Sequence, residues 1–267
     1  MITIFGSSGY MGSALVEECH RRKIKWKQGR HGSSAEAMEQ IHGSDMVVNC
    51  CAFIPSPTVD ACRFRKGETI VGNILWPYIL RDACEWTGKP LAHLSTGCLF
   101  DEQREYTEGD APTRGWDGYC GFYVGTKILC EQIVREYEKH YILRLRLPFD
   151  EIDHPKNYLT KLTKFEQVYE HTNSLTHRGD FAKWVLDLWE NKAPWGTYNC
   201  VNEGQIPALD IAKKMLFRGI ITKLPVFVKS EGTTGARLSC TKLQSAGVKV
   251  RPVEEAAADA LKNWKHV

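Results

Sequence analysis

Along the first 150 residues, short apolar runs alternate with longer stretches of helical period. ITIF at 2–5 precedes an amphipathic stretch over about 10–22, and IKWKQ, MVVNCCAF, PLAHLST and YILRLRL recur as strand-like runs. Between them lie helical patterns at about 35–41 and 69–86 and from Tyr123 onward. Runs this short and this apolar suit strands covered on both faces, and strands that alternate with helices build βαβ units. The expected fold is α/β: a Rossmann-like doubly wound parallel sheet over residues 1–150, with a small C-terminal lobe over 151–267 interleaved with the end of the sheet. Beyond Pro148 the rhythm weakens, and helices are expected near 179–190 and 208–216.

Composition narrows the picture without redirecting it. A chain of 267 residues with 43% hydrophobic and 25% charged positions is long enough to bury a sizeable core. Its formal charge of +3 carries no basic block, so no nucleic-acid partner is expected. No apolar run approaches membrane-spanning length and the glycine-broken N-terminus does not read as a signal peptide, so no membrane partner and a cytoplasmic location are expected. The ten cysteines show neither C-x-x-C nor zinc-ligand spacing, which predicts free thiols in a reducing compartment and no metal.

Chemistry enters at the first turn. Gly6, Gly9 and Gly12 form G-x-x-G-x-x-G directly after a strand and open a helix, so that with Ser8, Tyr10 and Met11 they predict a dinucleotide-phosphate site. After the second strand the chain reads Gln28-Gly29-Arg30-His31-Gly32-Ser33, with no carboxylate for a free ribose 2′-hydroxyl. Arg30 suits a 2′-phosphate instead, which favours NADPH (NADP) over NADH. Further along, Tyr123 and Lys127 stand four apart on one helix face. An ammonium beside a phenol favours the phenolate, so this pair predicts a proton donor with a lowered pKa. Gly125 inside the same helix is expected to weaken it.

Together these residues resemble the extended short-chain dehydrogenase/reductases, within them the dTDP-4-dehydrorhamnose reductase-like group. NCCAF at 49–53 resembles the family's strand end, VDACRFRKGETIVGNILWPYILRDAC the helix carrying Asn73, and HLSTGCLFDE the strand with the catalytic hydroxyl. YTEGDAP resembles the loop before Tyr-x-x-x-Lys, and LRLRLPF the strand that ends near the nicotinamide. HPKNYLTKLTKFEQVYEHTNSLT and WGTYNCVNEG are similar to plant-type enzymes of UDP-rhamnose synthesis, which combine 3,5-epimerisation with 4-reduction. The resemblance implies Tyr123 as general acid, Lys127 as its tuning cation and ribose contact, and Thr96, in preference to Ser95, as the hydroxyl on the substrate oxygen. It adds Ala52, Asn73 and Pro148 to the cofactor contacts. Glu108, Asn157, Lys161 and Thr176 are implied as nucleotide-sugar contacts, beside Thr96 and Cys98.

The implied reaction is NADPH-dependent reduction of an NDP-4-keto-6-deoxyhexose. Cys98 and Lys161 resemble the residues that carry protons for 3,5-epimerisation in these enzymes, and hydrogens flanking a C4 ketone are acidic enough for such a step. Two alternatives stand beside it: a pure 4-ketoreductase in which Cys98 is structural, and a non-catalytic NADP-binding regulatory subunit. A homodimer through the helices holding Asn73 and Tyr123 is expected by analogy with relatives. His177 and Arg178 depart from the family pattern and are expected to affect nucleotide preference; the base itself is left open.

Overall fold

The structure, a computed structural model, describes residues 1–55, 58–102, 104–229 and 235–265. In chain order the first elements are β1 (Ile2–Phe5), α1 (Tyr10–Arg21), β2 (Trp26–Gly29), α2 (Ser34–Ile41), β3 (Met46–Asn49), α3 (Lys66–Ile70), α4 (Trp76–Thr87) and β4 (Leu91–Thr96). β5 (Glu105–Tyr106), α5 (Gly121–Arg135), β6 (His140–Leu145), β7 (Pro148–Phe149), α6 (Tyr158–Lys164), β8 (Gln167–Tyr169), β9 (Thr172–Asn173), β10 (Thr176–His177) and α7 (Arg178–Glu190) follow. The last are β11 (Gly196–Asn199), β12 (Ile206–Pro207), α8 (Ala208–Phe217), β13 (Val226–Val228), β14 (Arg237–Leu238), α9 (Thr241–Ser245) and α10 (Val253–Lys262). The chain divides into two compact units, one of residues 1–99, 111–144 and 192–198, the other of 100–110, 145–191 and 199–267.

The first unit is Rossmann-like, with a six-stranded sheet in the order β11-β6-β4-β3-β1-β2. β1 pairs parallel with both β2 and β3, and β3 parallel with β4. β1, β3 and β4 are buried at every position, which is why their sequences read as unbroken apolar runs. One face packs Phe5, Val47, Leu91 and Ile142 against Ile41, Trp76, Leu80, Cys84, Cys130 and Val134 from the helices. β3 stops at Asn49, short of the expected run to Phe53, because the Asn49 side chain accepts the Cys51 N–H at 3.0 Å and diverts the backbone from the ladder. The helix expected over 69–86 starts earlier, at Lys66, and contains a π-helical turn over Val71–Leu75. Asn73 sits inside that turn, where its amide accepts the Phe53 N–H at 2.7 Å and donates to the Phe53 carbonyl at 3.1 Å.

In the second unit, short pairs replace the large sheet: β7 with β10, β8 with β13 and β5 with β14 run parallel, and β9 with β12 antiparallel. Their core gathers Phe149, Leu159, Leu175, Ile211, Met215, Val253 and Leu261. Arg178 is buried and donates to Asp150 at 3.1 Å, while His177 caps α7 by accepting the Asp180 N–H at 3.2 Å. Both departures from the family pattern thus have local structural tasks. All ten cysteines are free thiols, and among the described residues no helix is long and apolar enough to cross a membrane.

Helix α5 starts from Cys120, held in the left-handed region at φ 61° with its N–H donated to Asp60 at 3.0 Å. The expectation that Gly125 weakens this helix needs a correction, because the indole of Trp116 lies flat on it. A Cβ at Gly125 would stand 2.2–2.5 Å from three indole carbons, and one at Gly121 would stand 2.4 Å from the Trp116 carbonyl oxygen. The two glycines form a notch for the preceding loop, and the helix propensity given up at Gly125, about 1 kcal/mol, is exchanged for that packing. Gly125→Ala is therefore expected to destabilise the protein by about 1–3 kcal/mol through overpacking. Adding Trp116→Ala should recover part of the loss; urea unfolding checks this, and equal stability of Gly125→Ala and the parent would remove the notch from the account.

Candidate active site

The turn from β1 into α1 is built from what its glycines lack. Gly6 takes φ +75°, and a Cβ at Gly12 would stand 2.1 Å from the Gly6 carbonyl oxygen, so α1 leaves β1 at a distance only glycine allows. No side chain caps the N-terminus of α1. Such a turn, with amides and the positive end of a helix dipole beside it, is chemically suited to a pyrophosphate. Ser8 is exposed, Met11 and Ala52 half-buried and Tyr10 buried around this region of the first unit. Arg30 follows β2 with its side chain exposed, its backbone held by Gln40, which accepts the Arg30 N–H at 2.6 Å and donates to its carbonyl at 3.0 Å. No carboxylate occupies 28–33, so the residues present fit a 2′-phosphorylated cofactor. Asn73 is nearly fully buried and its amide is occupied by Phe53, so it braces the segment after β3 rather than presenting a free amide.

Thr96 and Tyr123 meet at the end of β4. The Thr96 oxygen accepts the Cys98 N–H at 3.1 Å, and a side-chain hydrogen bond between Thr96 and Tyr123 favours the phenolate. Ser95, the other candidate hydroxyl, is occupied elsewhere, donating to Glu131 at 2.6 Å. Successive strand residues face opposite sides, and that alternation separates the two. Cys98 is half-buried two residues on, and Cys98, Cys62 and Cys120 are the thiols that act electrostatically on Tyr123.

The lowered pKa expected of Tyr123 is not found. Burial is the largest influence and pushes the phenol well above its ordinary range; Cys98 adds to the rise, and the Thr96 hydrogen bond opposes it. Lys127, also buried, turns its amine to the Leu94 carbonyl at 2.9 Å and to His93 Nε2 at 3.1 Å. Burial of the phenol outweighs the spacing argument, because an i, i+4 relation fixes the helix face and not where the head group ends.

Glu131 and Arg144, both nearly inaccessible, form a paired fork with contacts of 2.7–3.3 Å, to which Ser95 and Arg135 add hydrogen bonds. This network ties α5 to β4 and β6, and the sequence reading missed it, as it missed His93. The signal was present only as charged or polar letters inside apolar runs, HYILRL and LAHLST.

The remaining predicted residues lie in the second unit. Asn157 is fully buried, caps α6 by accepting the Leu159 N–H at 2.9 Å, and donates to Asp150 and Ile152. Thr176 is likewise buried, donating to the Cys200 carbonyl at 2.7 Å and accepting the Arg146 N–H at 2.9 Å. Through these bonds both hold the backbone around them in place. Glu108 accepts the Asn199 N–H at 2.8 Å. Lys161 is half-buried in the last turn of α6, and Pro148, also half-buried, opens β7.

Residues 1–266 match the RmlD substrate binding domain family. Over 215 residues the chain is 27% identical to an Arabidopsis thaliana bifunctional dTDP-4-dehydrorhamnose 3,5-epimerase/dTDP-4-dehydrorhamnose reductase, covering 76% of this chain and 70% of that one. It is 26% identical over 214 residues to a trifunctional UDP-glucose 4,6-dehydratase/UDP-4-keto-6-deoxy-D-glucose 3,5-epimerase/UDP-4-keto-L-rhamnose-reductase of the same plant. There the match spans 76% of this chain but only 32% of the relative, about a third of its length. The L780 UDP-rhamnose synthase of Acanthamoeba polyphaga mimivirus superposes with a TM-score of 0.86 over 98% of each chain at 20% identity, a likeness of fold. With a match that runs from the first glycine turn through the last helix, the chain belongs to the RmlD substrate-binding domain family.

Proposed function

We propose that this protein is an NADPH-dependent oxidoreductase that reduces the C4 ketone of an NDP-4-keto-6-deoxyhexose in the formation of a rhamnose-type sugar, and that it also epimerises C3 and C5. The observation that carries the reading is the Thr96 hydroxyl bonded to the buried Tyr123 phenol, one helical turn from the buried Lys127 amine. When bound, the nicotinamide supplies a hydride to the C4 carbonyl carbon. Tyr123 gives its proton to the oxygen that gains charge, and the raised pKa of the phenol keeps that proton in place until an oxyanion forms beside it. Thr96, whose oxygen accepts the Cys98 N–H, holds the same oxygen by hydrogen bonding. Lys127, one helical turn after Tyr123, is assigned to the cofactor ribose. The 2′-phosphate is assigned to Arg30, and the pyrophosphate to the turn of Gly6, Gly9 and Gly12.

For the epimerase step the proton carriers are Cys98 and Lys161, acting on carbons whose carbanions are delocalised into the C4 ketone as enolates. The bifunctional plant relative, of which this chain spans more than two thirds, supports placing both reactions on one chain of this size. The nucleotide-binding and substrate-binding parts are assigned to residues 1–150 and 151–267. A non-catalytic regulatory role is disfavoured, since such a role does not require Thr96, Tyr123 and Lys127 to occur together. A homodimer through α3, α4 and α5 is supported by the exposed apolar side chains Ile70, Val71, Leu75 and Tyr78. Sedimentation should show a dimer at micromolar concentration; a monomer would remove it.

Tyr123→Phe is expected to lower kcat by at least about 10²-fold while NADPH binding, followed by nucleotide fluorescence, is retained. Full turnover in that variant would overturn the reductase assignment. In deuterium oxide, the product of UDP- or dTDP-4-keto-6-deoxyglucose should carry deuterium at C3 and C5, and Cys98→Ala should lose label with reduction of a pre-epimerised substrate intact. An unlabelled product would leave a pure 4-ketoreductase.

A further inference from the structure

The outward side of α8 carries apolar side chains that the core does not use. Its inner face is complete, with Ile211, Ala212 and Met215 buried in the core of the second unit. On the other side Leu216 is exposed and Phe217 is 92% exposed. The chain turns at Gly219, with φ +70°, and continues through Leu224 and Val226, both exposed as well. Phe227 packs against the core, and the alternation of side chains along β13 leaves Val226 outside for the same reason. A phenyl ring left almost wholly in water forgoes the burial that drives folding, so the fold itself gives no reason for Phe217.

The ionisable side chains of this stretch are all cations. Residues 211–229 contain Lys213, Lys214, Arg218, Lys223 and Lys229 and no aspartate or glutamate. Lys213, Lys214, Arg218 and Lys223 are exposed and form no ion pair among the described residues, whereas the nearby Arg251 is tied to Asp180 and Asp259. Between α8 and α10 runs a groove of about 360 Å³, in which Phe217 lies beside Ala258 and Leu261 with Lys213, Lys214 and Arg218 around it. On α10, Glu254 stands one turn before Ala258 and Lys262 one turn after, so that wall adds no net charge. None of these side chains is assigned to cofactor or substrate.

Composition says which partner such a surface fits. Protein–protein interfaces favour Tyr, Trp and Arg and are poor in lysine. Here lysine outnumbers arginine, and the exposed apolar residues are Phe, Leu and Val. Lysine interleaved with Phe and Leu, on a surface without carboxylates, matches a bilayer interface, where anionic headgroups lie over hydrocarbon. Contact of this kind lies in the plane of the headgroups and needs no spanning segment, so a chain with no apolar run of membrane length can still make it. We infer that the outer surface of α8, with the segment through Val226, docks on anionic lipid bilayers. Phe217 enters the boundary between headgroups and acyl chains, while Lys213, Lys214, Arg218 and Lys223 pair with the anionic headgroups. The inference stands apart from the activity proposed above.

Vesicle sedimentation tests this on the intact protein. With vesicles of phosphatidylcholine holding about 30 mol% phosphatidylserine, the protein should pellet at low salt, and its affinity should fall about ten-fold or more in about 0.5 M salt. Vesicles of phosphatidylcholine alone should bind it about ten-fold or more weakly. Phe217→Ala, and the double variant Lys213→Gln with Lys214→Gln, should each weaken binding about ten-fold. The urea midpoint and NADPH binding of both variants should match the parent, since these side chains serve neither the core nor the cofactor. No sedimentation with the anionic vesicles, equal affinity for both vesicle types, or unchanged binding in both variants overturns the inference. If soluble poly-glutamate binds as tightly as the vesicles and Phe217→Ala leaves that binding intact, the cations serve an acidic protein and the inference fails. Loss of self-association in Phe217→Ala would likewise make the patch a contact between copies of this chain and overturn it.

Discussion

The contact between α5 and β4 is the constraint on which the rest of the first unit depends, and it is made largely by polar groups. His93 and Ser95 lie on one face of β4, where Lys127, Cys130 and Glu131 of α5 meet them. Burying an amine, an imidazole and a carboxylate together is costly unless each finds a partner. Here Glu131 has Arg144, the imidazole has Asn49, and the amine has a carbonyl. A half-satisfied network would be worse than an apolar seam, so the arrangement permits little sliding of the helix along the strand. Tyr123 and Thr96 inherit that fixed spacing.

Around this seam, glycine is used where a backbone must come close. Gly12 brings α1 to the Gly6 carbonyl, Gly72 brings the π turn to Phe53, and Gly125 admits the Trp116 indole. Three close approaches of different kinds thus surround one sheet end. The π turn adds the same theme by hydrogen bonding, since Asn73 closes on the Phe53 backbone from both sides. Irregular helix geometry is common where function needs a displaced backbone, and here it fixes the segment that follows β3.

Buried surroundings also change the chemistry that spacing suggests. Tyr123 and Lys127 have the separation of an acid with its cation, yet the dominant influence on the phenol is loss of water, with thiols as its neighbours. The outcome is a phenol that holds its proton firmly and an amine turned to a strand carbonyl and an imidazole.

The alternation of apolar runs and helical periods determined by itself that the chain is α/β, and the glycines at 6, 9 and 12 determined where the close turn from β1 into α1 lies. These signals are local: a period of two or 3.6 residues, or a turn that only glycine can make, is written within a dozen positions. The strand Gly196–Asn199 and the helix Val253–Lys262 were not legible, because weak local patterns become elements only when a neighbour buries them. A family likeness pointed to Thr96 in preference to Ser95, and only the fold shows Ser95 donating to Glu131, thirty-six positions away. Likewise Asn157 and Thr176 looked available as polar letters, and only packing showed their hydrogen bonds already used. Proton state and hydrogen-bond occupancy depend on what distant segments bring to the same few ångströms, and that proximity exists only in the folded chain.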